Sequence, residues 1–172
     1  MARVEQINYE TASKEIKKAH DYHIENVGRM TNMKRTLLQN VPTFEVLMEW
    51  YKMRDEAAKF LDDLEINFFC HAISSENECV ICSLFFVKIM KDNGIDHRNY
   101  EFTARQQALI DFGQAIVRNP RTINEEVFAA IKTHFTDKQI VVLTGFAGMM
   151  IATNLINNVL EVEVDDYLET YK

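Results

Sequence analysis

Two cysteines separated by two residues are the part of this sequence best suited to chemistry. Cys79 and Cys82 open a long apolar segment, and Ser75, Asn77 and Glu78 just before them have the types and spacing of helix-capping residues. A helix is therefore predicted to begin near Asn77, with both thiols in its first turns. Residues three apart on a helix lie about 5–6 Å from each other, which a disulfide can span. The pair can thus interconvert between dithiol and disulfide with little backbone movement.

The position of the pair at a helix start also bears on its reactivity. Unpaired backbone N–H groups there favour negative charge, which lowers a thiol pKa and increases the thiolate fraction. The carboxylate of Glu78 beside Cys79 acts against this. Two other interpretations stay open: small apolar core residues, or a zinc site, which would need further ligands that no second C-x-x-C or H-x-x-x-H supplies. The pattern favours a redox role with no metal and no cofactor.

The composition predicts an all-α protein. Only 5 glycines and 2 prolines interrupt a chain of 172 residues rich in helix formers, and no linker is visible, so one domain over residues 1–172 is expected. Capping patterns at 103–106 and 136–139 predict two helix starts, and helices are also predicted over 42–60 and 62–74.

Charge and cysteine content restrict partners and location. A net charge of −7 without a clustered basic surface argues against nucleic acid as a partner. Three cysteines and no leader-like start indicate a reducing, cytoplasmic location. The longest apolar run, Ile140 to Ile156, is shorter than the roughly 20 residues that a membrane span needs, so it is expected to be buried in the domain or between subunits.

Several segments together resemble a known family. They are the turn 28–33 before Leu37-Leu38, the helix end 72–74, the motif Asn77-Glu78-Cys79-Val80-Ile81-Cys82, Gly94-Ile95, the segment 106–112, and Ala152-Thr153-Asn154-x-x-Asn157. With these features the chain resembles the carboxymuconolactone decarboxylase family, specifically its alkylhydroperoxidase D (AhpD)-like branch. The resemblance implies an all-α fold, assembly into trimers or hexamers, and reduction of peroxides by the cysteine pair.

The sequence departs from the family pattern at the proton relay. AhpD-like members continue as C-x-x-C-x-x-x-H and carry a glutamate about three turns before the first cysteine, whereas this chain has Phe86 and Asn67 there. A phenylalanine can pack against sulfur but cannot carry a proton. The family assigns the peroxide to the second cysteine, Cys82, with Cys79 resolving; the helix-terminus argument favours Cys79 as the more reactive thiol.

These observations lead to one main hypothesis and two rivals. The chain is expected to reduce a hydroperoxide or a disulfide through Cys79 and Cys82, with electrons from an unidentified protein or thiol reductant. His71, the histidine nearest the thiols in sequence, is a candidate proton relay, with Glu78 or Glu76 nearby. One rival is a decarboxylase of a lactone acid, which would need a cationic pocket. The other is a non-catalytic oligomeric binding or redox-sensing protein in which Phe86 has made the pocket apolar.

Overall fold

The computed structural model describes residues 2–171, which form nine α-helices and one short 3₁₀ helix. The all-α prediction is confirmed for this part of the chain. The elements in order are α1 (Lys14–Asn26), α2 (Asn32–Leu37), α3 (Val41–Met48), α4 (Trp50–Ala57), α5 (Asp63–Glu76), α6 (Val80–Asp92), α7 (Ala104–Arg118), α8 (Glu125–His134), α9 (Asp137–Val159) and the 3₁₀ helix η1 (Asp166–Tyr171).

Side-chain caps set the starts of three long helices. The hydroxyls of Thr103 and Thr136 each accept the N–H of the glutamine three residues on, and that glutamine side chain accepts the N–H of the threonine. Both predicted capping boxes are therefore confirmed. A third box starts α5, where Asp62 and Glu65 exchange the same two hydrogen bonds. These caps satisfy N–H groups that a helix start leaves unpaired.

The helix predicted over residues 42–60 is instead two helices. α3 and α4 meet at Glu49, whose N–H bonds to the carbonyl of Val46, three residues back. The break allows the Trp50 indole to lie 5.4 Å from the ring of Phe146, and its N–H points to the sulfur of Met150 at 2.7 Å. Packing of this large aromatic side chain against α9 stabilises the fold. That stabilisation explains why the helix breaks at a point where the sequence has no helix-breaking residue.

Helix α5 lies at the centre of the main core and packs against α6, α7 and α9. Phe69 and Ile73 of α5 are fully buried, as are Leu143 and Phe146 of α9. Gly113 lets α7 approach α5 closely, because a Cβ there would stand 3.1 Å from Phe69. A smaller cluster at the other end packs α1, α2 and α3 together. This arrangement holds the α5–α6 junction, with its two cysteines, against α9.

Helix α9 has one buried face and one exposed apolar face. It is 23 residues long, and by length and composition alone it could cross a membrane, while a third of its most apolar window is buried inside the domain. On the opposite face, Val141 is 72% exposed, Leu155 57% and Val159 49%. Burial inside the domain therefore accounts for one face, and burial of the other face between subunits stays a prediction. The small helical domain is compatible with a soluble protein.

Candidate functional site: a cysteine pair at a cavity wall

The junction between α5 and α6 places the first cysteine differently from the sequence prediction. α6 does not begin near Asn77, because Glu78 adopts the left-handed conformation with φ 53° and the N–H of Cys79 bonds to the carbonyl of Ser74. The residues expected to cap the helix lie in that turn instead, and Cys79 itself is the N-cap. A non-glycine residue in this region of φ is uncommon and is held there by surrounding structure. It directs Cys79 inward and leaves Glu78 exposed.

The two thiols lie close together at the start of α6. The sulfur of Cys79 accepts the backbone N–H of Cys82 at 3.4 Å, and both sulfurs lie within 3.7 Å of the side-chain nitrogen of Asn157. Cys79 is 0% exposed and Cys82 is 6% exposed, and neither forms a disulfide in this structure. The separation of three residues therefore places Cys79 and Cys82 near each other, as the C-x-x-C spacing predicts.

An asparagine from α9 completes the surroundings of the sulfurs. The side-chain amide of Asn157 donates to the sulfur of Cys82 at 3.2 Å and lies 3.7 Å from that of Cys79. Beside it, Asn154 donates to the Ser74 hydroxyl at 3.2 Å. Both asparagines are buried on an otherwise apolar helix face, where an amide is costly unless it is hydrogen-bonded. The sequence shows both asparagines as polar residues in an apolar helix. It does not show what they contact, because those residues lie more than 70 positions earlier in the chain.

The hydrogen bonds divide the charge unequally between the sulfurs. The S–H of Cys82, its backbone N–H and the amide of Asn157 lower the pKa of the Cys79 thiol to about 7, against the opposing effect of burial. The pKa of Cys82 is raised well above its usual value, because its proton is held by Cys79 and because it is buried. The pair therefore titrates as a unit, and its first negative charge is held mainly on the Cys79 sulfur.

Cys82 lies in the wall of a cavity of about 620 Å³. Cys79 is not among the lining residues, so it lies behind Cys82 as seen from the cavity. The lining is mainly aromatic and aliphatic, and includes Trp50, Ile81, Phe85, Phe86, Ile89 and Met90. It also reaches the exposed residues Asp63 and Asn93, which connects it to solvent. Asn67 and Phe86, at the family's relay positions, both face this cavity.

The two other predicted site residues lie away from the sulfurs. The His71 ring bonds to the Ser75 hydroxyl at 3.2 Å and stands 4.9 Å from the ring of His97. Ser75 in turn lies 3.4 Å from the hydroxyl of Ser83 on α6. Burial, together with His97, lowers the pKa of His71 to about 4, so the ring is neutral at neutral pH. The relay roles of His71 and Glu78 stay predictions.

The fold and the thiol pair together define a class: an all-α protein whose buried dithiol borders an apolar cavity. No family model and no curated protein matches the sequence. Solved structures do match, and they show that the chain has the AhpD-like fold. An uncharacterized peroxidase-related protein from Silicibacter sp. TM1040 superposes with a TM-score of 0.76 at 18% identity, covering 99% of this chain and 96% of that chain.

Two further structures extend the comparison. An uncharacterized peroxidase-related protein from Ralstonia eutropha JMP134, with an alkylhydroperoxidase AhpD core, gives a TM-score of 0.74 at 18% identity over 97% of this chain and 94% of that chain. The debrominase Bmp8 gives 0.77 at 13% identity over 98% and 95%. A cysteine-to-alanine variant of Bmp8 has been seen in complex with 2,3,4-tribromopyrrole. At these identities the likeness concerns the fold.

Proposed function

We propose that this protein is a thiol-dependent oxidoreductase that reduces organic hydroperoxides through Cys79 and Cys82. The observation that carries the proposal is the placement of Cys82 in the wall of an apolar cavity, with the Cys79 sulfur behind it accepting the backbone N–H of Cys82. The likeness to peroxidase-related proteins of the AhpD-like fold supports the same reaction. The compartment that keeps such a dithiol reduced is the cytoplasm.

The proposed reaction uses both thiols and balances without a metal or an organic cofactor. The Cys82 thiolate attacks the terminal hydroperoxide oxygen, the O–O bond breaks, and a proton converts the leaving alkoxide to the alcohol. Cys82 is then a sulfenic acid. The Cys79 thiolate attacks its sulfur, which forms the disulfide and releases hydroxide, and a proton from solvent converts the hydroxide to water. A dithiol or two monothiols reduce this disulfide by exchange and complete the cycle.

The thiol pair itself can perform part of the proton transfer for which AhpD-like proteins use a glutamate and a histidine. Because the pair titrates as a unit, transfer of the proton from Cys82 to Cys79 generates the attacking thiolate at the cavity wall. The amide of Asn157 contacts both sulfurs and stabilises the charge on either one. His71, whose ring is neutral at pH 7, is a second proton relay in this proposal, through the hydroxyls of Ser75 and Ser83.

The cavity lining favours an apolar substrate over hydrogen peroxide. Desolvation of a large hydrocarbon group against aromatic and aliphatic walls stabilises its complex, whereas a very small polar peroxide gains nothing there. A second function is favoured by the fold likeness to a debrominase seen with a bromopyrrole. In that case the dithiol would reduce a carbon–bromine bond to carbon–hydrogen, and bromide release from 2,3,4-tribromopyrrole would reveal it.

A direct test of the proposed function is to count thiols under anaerobic conditions. We expect one equivalent of cumene hydroperoxide to remove two of the three thiols, and a dithiol to restore both. Hydrogen peroxide should react more slowly, because it cannot use the apolar walls. The thiols are titrated with a chromogenic disulfide after unfolding. Thiols that are inert to both peroxides would instead support the non-catalytic binding interpretation.

We also propose that the exposed face of α9 binds a second copy of the chain. Its residues Val141, Gly148, Ala152, Leu155 and Val159 recur at helical spacing and form what we call the α9 stripe. Nothing lies within 4 Å of the Cβ position of Gly148, so the neighbouring helix of another subunit can approach closely there. The resemblance to AhpD-like proteins, which form trimers or hexamers, favours self-association over another partner.

The α9 stripe can be tested with a charge placed on it. We expect Leu155→Glu to convert the oligomer to monomers, because burying an unpaired carboxylate in an apolar interface costs several kcal/mol. Val46→Glu is the matched control, since Val46 is 65% exposed on α3 and does not belong to the stripe, and it should leave the assembly unchanged. The mass is measured by light scattering after size exclusion. A monomeric native chain at micromolar concentration would contradict the proposal.

A further inference from the structure

A buried lysine lines the same cavity as Cys82. Lys34 of α2 is 6% exposed, and its ammonium donates to the backbone carbonyl of Arg29 at 2.8 Å and to the hydroxyl of Tyr51 at 3.0 Å. An ammonium has three N–H donors, so one is left without an acceptor among the residues that the structure describes. The Tyr51 hydroxyl accepts this bond and has no acceptor for its own proton within residues 2–171.

The charge of Lys34 has no contacting counterion in the described chain. No carboxylate oxygen lies within 4.0 Å of its nitrogen, although the buried carboxyl of Asp165 lines the same cavity and acts on it from farther away. Asp165 itself accepts the backbone N–H of Asn32 at 2.9 Å. The other cation at the cavity, Arg54, is paired with Asp63 at 2.9 Å. Lys34 is therefore the cavity cation that is available to a ligand.

A buried cation of this kind is costly unless something compensates it. Burial lowers the pKa of Lys34 to about 8, while the charge of Asp165 opposes that shift, so at pH 7 the ammonium still carries its proton in most molecules. An anion bound at the remaining N–H would supply the missing contact and relieve part of the desolvation cost. The Tyr51 hydroxyl would provide a second donor to the same group.

We propose that Lys34 and Tyr51 form an anion subsite, and that the substrate is an organic monoanion whose apolar body carries the reducible group to Cys82. A hydroperoxide of an alkyl or aryl carboxylic acid fits this description. The carboxylate would lie between the ammonium and the phenol, and the hydrocarbon would lie along Trp50, Phe85 and Phe86. This deepens the proposed function, since it names the substrate class of the same cavity, and it rests on that function for the chemistry at Cys82.

Binding of an unreactive acid tests the subsite separately from the redox chemistry. We measure the affinity of the native dithiol protein for decanoate and for 1-decanol by calorimetry at pH 7. Decanoate should bind at least about 10-fold more tightly, which is the effect of a charge-assisted hydrogen bond in a site shielded from water. Equal affinity for the two compounds, or no binding of either, would overturn the proposal.

Variants test whether Lys34 and Tyr51 cause the preference for decanoate over 1-decanol. Lys34→Met should remove the preference for decanoate, and Lys59→Met should keep it, because Lys59 is exposed and pairs with Glu56 outside the cavity. Tyr51→Phe keeps the ring and should weaken decanoate binding without changing that of 1-decanol, which provides the test if Lys34→Met fails to fold. A preference that survives both Lys34→Met and Tyr51→Phe would overturn the subsite. If the thiols did not react with hydroperoxide but decanoate were still preferred, the proposed function would be contradicted and the anion subsite would be supported.

Discussion

Cys82→Ala should abolish peroxide-dependent thiol oxidation, with a loss of at least about 100-fold in rate, because no other thiol faces the cavity and removal of a nucleophile has effects of this size or greater. Cys79→Ala should behave differently. Cys82 can still react with the hydroperoxide, but without a resolving thiol the reaction stops at the sulfenic acid. We expect a dimedone adduct on Cys82 in this variant, and an intramolecular disulfide in the native protein, both measured by mass spectrometry.

The third cysteine provides the matched control. Cys70 is 0% exposed, lies in the core of α5 and has a pKa raised by burial, so its thiol is protonated and inaccessible. Cys70→Ala should therefore leave the oxidation rate unchanged, although it can lower the melting temperature. If Cys82→Ala reacted at the native rate, or if the dimedone adduct appeared on Cys79 in the native protein, the assignment of the attacking thiol would be wrong.

Asn157→Leu should move the pH dependence of oxidation upward by about one pH unit and slow the reaction at pH 7 by about 5-fold. The reason is the loss of the amide donor that contacts both sulfurs. With less stabilisation of the thiolate, the protonated pair is favoured, so the pKa rises from about 7 and a smaller fraction is charged at neutral pH. Leucine has a similar volume, which limits changes in packing. The rate of single-turnover oxidation is measured between pH 5 and 10.

Two further variants make this result specific. Asn158→Leu removes an amide from the next position of α9, where it donates to the carbonyl of Asn77 and not to sulfur, so the pH midpoint should not move. His71→Gln tests the alternative proton source. If His71 supplies protons through Ser75, that variant should lower the maximal rate without shifting the midpoint, because its ring does not contact the thiolate. An unshifted midpoint in Asn157→Leu would contradict the role given to the amide.

Features of this protein that depend on neighbours in the sequence were predictable. The all-α class follows from a scarcity of helix breakers, and the capping boxes at Thr103 and Thr136 act within a single turn. The closeness of Cys79 and Cys82 follows from a spacing of three residues at a helix start. In each case the interacting groups are at most four residues apart, so local geometry is sufficient.

Tertiary structure decided the features that join distant segments. Packing of Trp50 on α9 explains the break at Glu49, and only the folded chain brings Asn157 to the sulfurs. The cavity is likewise assembled from helices scattered along the chain, which is how Lys34 and Cys82 come to share its walls. Such contacts depend on how helices that are distant in the sequence pack against one another. Helical periodicity specifies which face of a helix is apolar, but not which other helix that face contacts.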